Sequence, residues 1–89
     1  MRTFEQIEKD LNDIRRELKE CIVATLKSKG YGINQTAYGR KYNLQMQYDE
    51  DHTCFCKALE YDATWHHIDF ATLDELMELY ATALRAFPR

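Results

Sequence analysis

The chain has 89 residues, and at roughly 150 residues per domain this length predicts one domain and excludes a multidomain enzyme. Twelve Lys and Arg against 15 Asp and Glu give a net charge of −3, while 45% of the residues are apolar, with one Pro and three Gly. This composition is too hydrophobic and too poor in helix breakers for a disordered or collagen-like chain.

The first predicted element is a long helix over residues 4–29. Thr3 and Gln6 form a capping-box pattern before it, and Gly30 can take the left-handed conformation that ends helices. Apolar or small side chains recur along it in alternating steps of three and four, at Phe4, Ile7, Leu11, Ile14, Leu18, Cys21 and Thr25. These positions form a heptad seam of about three repeats, which is typical of helix-to-helix packing.

The seam is longer than the predicted sheet can cover. A helix over residues 4–29 measures about 39 Å, against about 26 Å for an eight-residue strand. Asp10 and Arg15 flank the seam at positions that pair across chains in coiled coils. Two interpretations stay open: the second helix of the same chain covers the seam, or residues 4–18 meet another chain.

The middle of the chain predicts an antiparallel sheet. Residues 41–48 alternate apolar and polar side chains with a period of two. Residues 53–61 and 65–70 follow as strands after turn-forming segments. Residues 31–38 are a candidate fourth strand at the sheet edge.

A second capping box, Thr72 with Glu75, predicts a C-terminal helix over residues 73–86. Its apolar side chains are expected to face the sheet, and they are Leu73, Leu76, Met77, Tyr80, Leu84 and Phe87. The predicted fold class is therefore α+β: a long N-terminal helix, an antiparallel meander of three or four strands and a C-terminal helix, with both helices on one face of the sheet.

Three-residue loops between the strands predict which side chains share a face. In that register Met46 lies opposite Cys54, Cys56 lies opposite Phe70, and Lys57 is an ion-pair partner for Asp69. The face turned away from the helices then carries Phe55, Leu59, Tyr61 and Trp65. Such a surface is typical of a protein interface, unless a loop such as residues 31–40 covers it.

Two further function classes remain as alternatives. Nucleic acid could stack on the aromatic face, but residues 31–70 hold three basic side chains against six acidic ones, which would repel phosphate. His67 near Asp69 could orient an imidazole, so a small dimeric enzyme or a small-ligand-binding protein that uses these residues and nearby tyrosines is the second alternative.

A zinc site is a further possibility that the predicted register disfavours. Cysteine and histidine on paired strands can bind zinc, and the chain has Cys54 and Cys56 near His66 and His67, with His52 at the hairpin. Both cysteines are expected to face the core, and both histidines are expected to lie far from Cys54. No metal or other cofactor is therefore predicted.

The predicted function is a small non-catalytic module that binds another protein, as inhibitors, immunity or antitoxin-like proteins, phage-type antagonists and chaperones do, or that homodimerises. The predicted partner-binding residues are Phe4, Ile7, Leu11, Ile14, Leu18, Phe55, Leu59, Tyr61 and Trp65. No apolar run approaches the roughly 20 residues of a membrane span, and no secretory signal pattern is present. An odd number of cysteines fits reduced thiols, so a cytoplasmic location with no membrane partner is expected.

Overall fold

The computed structural model describes residues 1–38, 44–57 and 64–89. Its elements, in chain order, are α1 (Phe4–Ser28), β1 (Thr36–Tyr38), β2 (Leu44–Gln47), β3 (Cys54–Lys57), β4 (His66–His67), a 3-10 turn (Ile68–Phe70) and α2 (Leu73–Arg85). The four strands form one antiparallel sheet in the order β1-β2-β3-β4. The predicted α+β class is confirmed, with the candidate fourth strand present at the edge.

The helix boundaries agree with the predicted ones to within one residue, because local capping chemistry determines them. The Thr3 hydroxyl accepts the N–H of Gln6, whose side-chain oxygen accepts the N–H of Thr3 in return. Thr72 and Glu75 repeat this arrangement before α2. At the end of α1, Gly30 has a φ of +87°, and a Cβ there would lie 2.7 Å from the backbone oxygen of Arg89.

The strands are shorter than the sequence alternation predicts. Residues 31–35 are not strand; they form a turn that includes Asn34 at a φ of 68°. Residues 68–70 were predicted as the end of the last strand, but they form a 3-10 turn. The turn begins where Nδ1 of His67 accepts the N–H of Asp69. Residues 41–43 and 58–61 of the other two predicted strands lie outside the described residues.

The predicted register between β2 and β3 is wrong by one residue. Met46 pairs with Phe55 and not with Cys54, since the hairpin loop holds four residues, 49–52, instead of three. The carboxylate of Asp49 stabilises this longer loop by accepting the N–H groups of Asp51 and His52.

That slip inverts β3, because neighbouring side chains on a strand point to opposite faces. Phe55 therefore lies on the same face as Met46 and enters the core. The next pairing differs as well: β4 aligns Cys54 with His67 and Phe55 with His66. Asp69 contacts Lys19 and not the predicted Lys57, and Phe70 is exposed rather than buried.

One hydrophobic core joins both helices to one face of the sheet. Its buried members are Ile22, Leu26, Tyr31, Ala37, Leu44, Met46, Tyr48, Phe55, Ile68, Ala71, Leu76, Leu79 and Ala83. On α2 the prediction of the inward face is partly wrong: Leu76 is buried, but Met77, Leu84 and Phe87 are exposed.

The two helices run parallel, and α1 extends past the start of α2. Arg15 donates from Nη2 to the carbonyl oxygen of Ala71, just before the first residues of α2. At the other end, Nζ of Lys29 donates to the carbonyl oxygens of Leu84 and Ala86, each at 2.7 Å. The part of α1 before Arg15 therefore projects beyond α2, by about 16 Å at ~1.5 Å per residue.

Candidate protein-binding surface

The projecting part of α1 carries a row of exposed apolar side chains, which we name the α1 stripe: Phe4, Ile7, Leu11 and Ile14. Phe4 is 77% exposed, and the other three are between 41% and 46% exposed. The next member of the predicted seam, Leu18, is half-buried against the core. The structure thus leaves most of the predicted seam uncovered by the chain's own α2.

The seam and the core face of α1 diverge because a heptad does not match the period of a straight α-helix. At 3.6 residues per turn, a seven-residue repeat drifts by about 20° per heptad. By the third repeat the seam positions Cys21 and Thr25 are only half-buried, and the adjacent Ile22 and Leu26 fill the core. The seam is therefore exposed before Leu18 and half-buried from Leu18 onward, where the neighbouring Ile22 and Leu26 occupy the core.

Local interactions hold the projecting segment in helical form. The capping box at Thr3 starts it, Arg2 pairs with Asp10, and Nη2 of Arg16 lies 3.1 Å from Oδ1 of Asp13. Exposed ion pairs of this kind contribute little, typically below about 1 kcal/mol. Helical segments this short are marginal in water without tertiary packing, so burial of the α1 stripe by a partner would stabilise the segment.

The second predicted surface, on the sheet, is not formed as expected. Phe55 is 3% exposed and lies in the core, so its prediction as a partner-binding residue is wrong. Trp65 is 38% exposed just before β4. Leu59 and Tyr61 lie outside the described residues, which leaves Trp65 as the described member of that patch at the surface.

The structure reveals a surface on α2 that the sequence reasoning missed. Met77 and Leu84 on α2 and Phe87 just after its end are each more than half exposed, and Leu73 and Tyr80 in the same row are half-buried. We name these five residues the α2 stripe. The sequence does show two apolar rows here, one at positions 73, 77, 80, 84 and 87 and a second at 76, 79 and 83, but it does not indicate which row is buried. At about 100° per residue these rows lie on different faces, and only the second is fully buried.

His67 and Asp69 do lie together, in an arrangement that supports the chain's own structure. Nδ1 of His67 accepts the N–H of Asp69 at 2.9 Å and lies 3.3 Å from Oδ2 of the same residue. Nζ of Lys19 lies 2.7 Å from Oδ1 of Asp69, and this contact holds the pKa of the Asp69 carboxyl below its ordinary value. The open groove beside them, of about 470 Å³, is lined by charges of both signs.

The cysteine and histidine side chains are closer than the sequence predicts. Cys54 lies opposite His67, whose ring meets that of His52 edge-on at 4.3 Å between centroids. Burial raises the pKa of the Cys54 thiol, and the charge of Asp49 adds to this rise, which disfavours the thiolate that binds metals. Within residues 1–38, 44–57 and 64–89, no three His, Cys, Asp or Glu side chains are arranged to hold a metal ion.

Comparisons with known proteins identify no relative of this chain. No family model matches the chain, and no curated protein or solved structure resembles it at a significant level. Among the helices of the described ranges, none has the length and apolar character that crossing a membrane requires.

Proposed function

We propose that this protein is a non-catalytic module that works by binding another protein chain through the α1 stripe. One observation carries the proposal: four large apolar side chains at helical spacing are exposed on the part of α1 that projects beyond α2. Solvated helices usually place polar residues on such a face, and an amphipathic helix at this spacing is a common element of protein recognition.

The energetics favour association of this segment. Burying a Leu, Ile or Phe side chain contributes about 1.5–3 kcal/mol relative to leaving it in water. A partner that buried all four members of the α1 stripe would also convert a marginal helix into a packed one. The gain is offset in part by the loss of translational and rotational freedom on association.

The two alternatives have less support from the described residues. The carboxylate of Asp69 is engaged by Lys19, and Nδ1 of His67 accepts a backbone N–H, so neither group is aimed at a substrate. Nucleic acid could not stack on Phe55, because this side chain lies in the core.

The test compares Leu11→Asp with Asn12→Asp, two neighbouring changes that each add one negative charge to α1. We expect Leu11→Asp to abolish association, measured as absolute mass by light scattering over a hundredfold dilution and as stoichiometric capture of a protein from lysate. Asn12→Asp, next to the stripe but outside it, should retain both. Far-UV circular dichroism should show that both variants stay folded.

Two results would contradict the proposal. If Leu11→Asp unfolded the chain, the stripe would belong to the core. If Leu11→Asp kept every association of the unmodified chain, the contact would lie elsewhere.

A further inference from the structure

We infer that the partner of the α1 stripe is a second copy of this chain, with α1 of one copy lying antiparallel along the α2 stripe of the other. The inference rests on the proposed function and names its partner. It explains in one contact two groups of exposed apolar side chains, one on α1 and one on α2 and just after its end.

The two stripes have matching spacing. Extended to the half-buried Leu18, the α1 stripe advances in steps of three, four, three and four, and the α2 stripe read from its end does the same. On the helices themselves the matching parts are residues 7–18 of α1 and residues 73–84 of α2, each 12 residues of sequence, or about 17 Å of helix. Antiparallel packing then forms four apolar layers between the helices: Ile7 with Leu84, Leu11 with Tyr80, Ile14 with Met77, and Leu18 with Leu73. Phe4 extends the α1 row by one turn, and Phe87 lies two residues beyond the end of α2.

Charge complementarity selects this pairing and its direction. Residues 2–13 carry two basic and four acidic side chains, whereas residues 15–19 carry three basic and one acidic. Residues 74–78, at the start of α2, hold three acidic side chains, and residues 85–89, from the last residue of α2 onward, hold two basic ones. Antiparallel contact places unlike charge side by side at both ends, where a parallel contact would place like charge.

The same charges disfavour parallel contact between two α1 stripes. Such a contact would place two copies of residues 2–13, each with a net charge of −2, against one another. Like charges across a helix interface oppose association, and flanking charges of this kind determine partner choice in coiled coils. An antiparallel contact between two α1 stripes would pair unlike charge but would leave both α2 stripes exposed, so the α2 stripe is the better counterpart within a second copy.

The parallel arrangement of α1 and α2 in one chain allows both contacts to form at once. A two-fold axis reverses the helix direction of the second copy, so each α1 meets the partner's α2 and each α2 meets the partner's α1. This isologous contact closes on itself and leaves no stripe open for further growth. The expected assembly is a dimer, not a filament.

The experiment uses Leu11→Asp, which breaks the α1 stripe, and Leu84→Asp, which breaks the α2 stripe. The unmodified chain should have twice its 10.6 kDa mass in light scattering, and each variant alone should be a monomer. An equimolar mixture of the two variants should recover a dimer, because each supplies the stripe that the other lacks. That mixed dimer keeps one of two contacts, so it should form only at higher concentration than the unmodified dimer.

Other outcomes would overturn the inference and are distinguishable from failure of the proposed function. A Leu84→Asp dimer beside a Leu11→Asp monomer would mean that two α1 stripes meet. An unmodified chain that stays monomeric at every concentration would mean that the partner is a different protein. A Leu11→Asp dimer would overturn both proposals. If Leu84→Asp lost its circular dichroism signal, Phe87→Asp, at the most exposed position of the stripe, would replace it.

Discussion

The two halves of α1 follow the same apolar pattern and have opposite surroundings. Before Arg15, the apolar side chains are exposed and the helix is held by its cap and by surface ion pairs. After Leu18, Ile22 and Leu26 are fully buried against the sheet and α2. A heptad pattern therefore identifies a helix that packs against another element. Whether that element belongs to the same chain depends on how far the sheet and α2 extend along the helix.

Truncating one leucine in each half of α1 tests the difference between the two halves most directly. Leu26→Ala should lower the free energy of unfolding by about 2–5 kcal/mol, because it removes buried side-chain atoms and leaves a cavity. Leu11→Ala should change it by less than about 0.5 kcal/mol at concentrations where the chain is monomeric. Urea denaturation followed by circular dichroism measures both, and equal losses would show that the two halves share one core.

A smaller effect is expected from the two capping boxes, which are matched in chemistry. Thr72→Ala should lower the free energy of unfolding by about 1 kcal/mol, and with it the midpoint of urea unfolding, because α2 is part of the cooperative core. In the monomer, Thr3→Ala should reduce the helical signal at 222 nm without moving that midpoint, since the first turns of α1 can fray alone. A midpoint shift for Thr3→Ala as large as that for Thr72→Ala would contradict this view.

The smallest effect is expected from the ion pair between Asp69 and Lys19, which lies where the buried half of α1 begins. Asp69→Asn removes the charged contact with Lys19, an exposed pair for which about 0.2–1 kcal/mol is typical. The pKa of Asp69 is lowered in the folded chain, so the contact stabilises above the unfolded carboxyl pKa, about 3.9. This contribution is lost as the pH falls through the lower folded pKa.

Urea unfolding of Asp69→Asn and the unmodified chain at several pH values checks the sign. The difference between them should be largest near neutral pH and should vanish once Asp69 is protonated in both states. Lys19→Gln should show the same pH dependence, because it removes the hydrogen bond that contributes most to the lowered pKa of Asp69. A difference that persists in strong acid would assign the effect to packing.

The sequence predicted the helices well and the strand pairing poorly, for different physical reasons. Helix ends depend on residues three positions apart, as Thr3 with Gln6 and Thr72 with Glu75 show. Strand register depends on the length of a loop, and one extra residue between β2 and β3 moved Phe55 from the predicted surface into the core.

The α1 stripe could be predicted from sequence, while the α2 stripe could not be separated from the core. On α1, the helix was too long for the predicted sheet, so a segment left uncovered by the same chain was one of the two interpretations that followed from its length. On α2, two apolar rows are candidates for one core, and residue type does not rank them: Leu84 in the exposed row is the same residue type as Leu76 and Leu79 in the buried one.

Local chemistry in the chain therefore sets the order of elements, the helix ends and the apolar rows, because each depends on residues a few positions apart. Which row is buried is decided by contacts between residues that are distant in sequence. Arg15 with Ala71 and Lys29 with Leu84 place α2 beside the second half of α1. That placement leaves the first half of α1 and one face of α2 exposed, and these are the surfaces that the proposed association would bury.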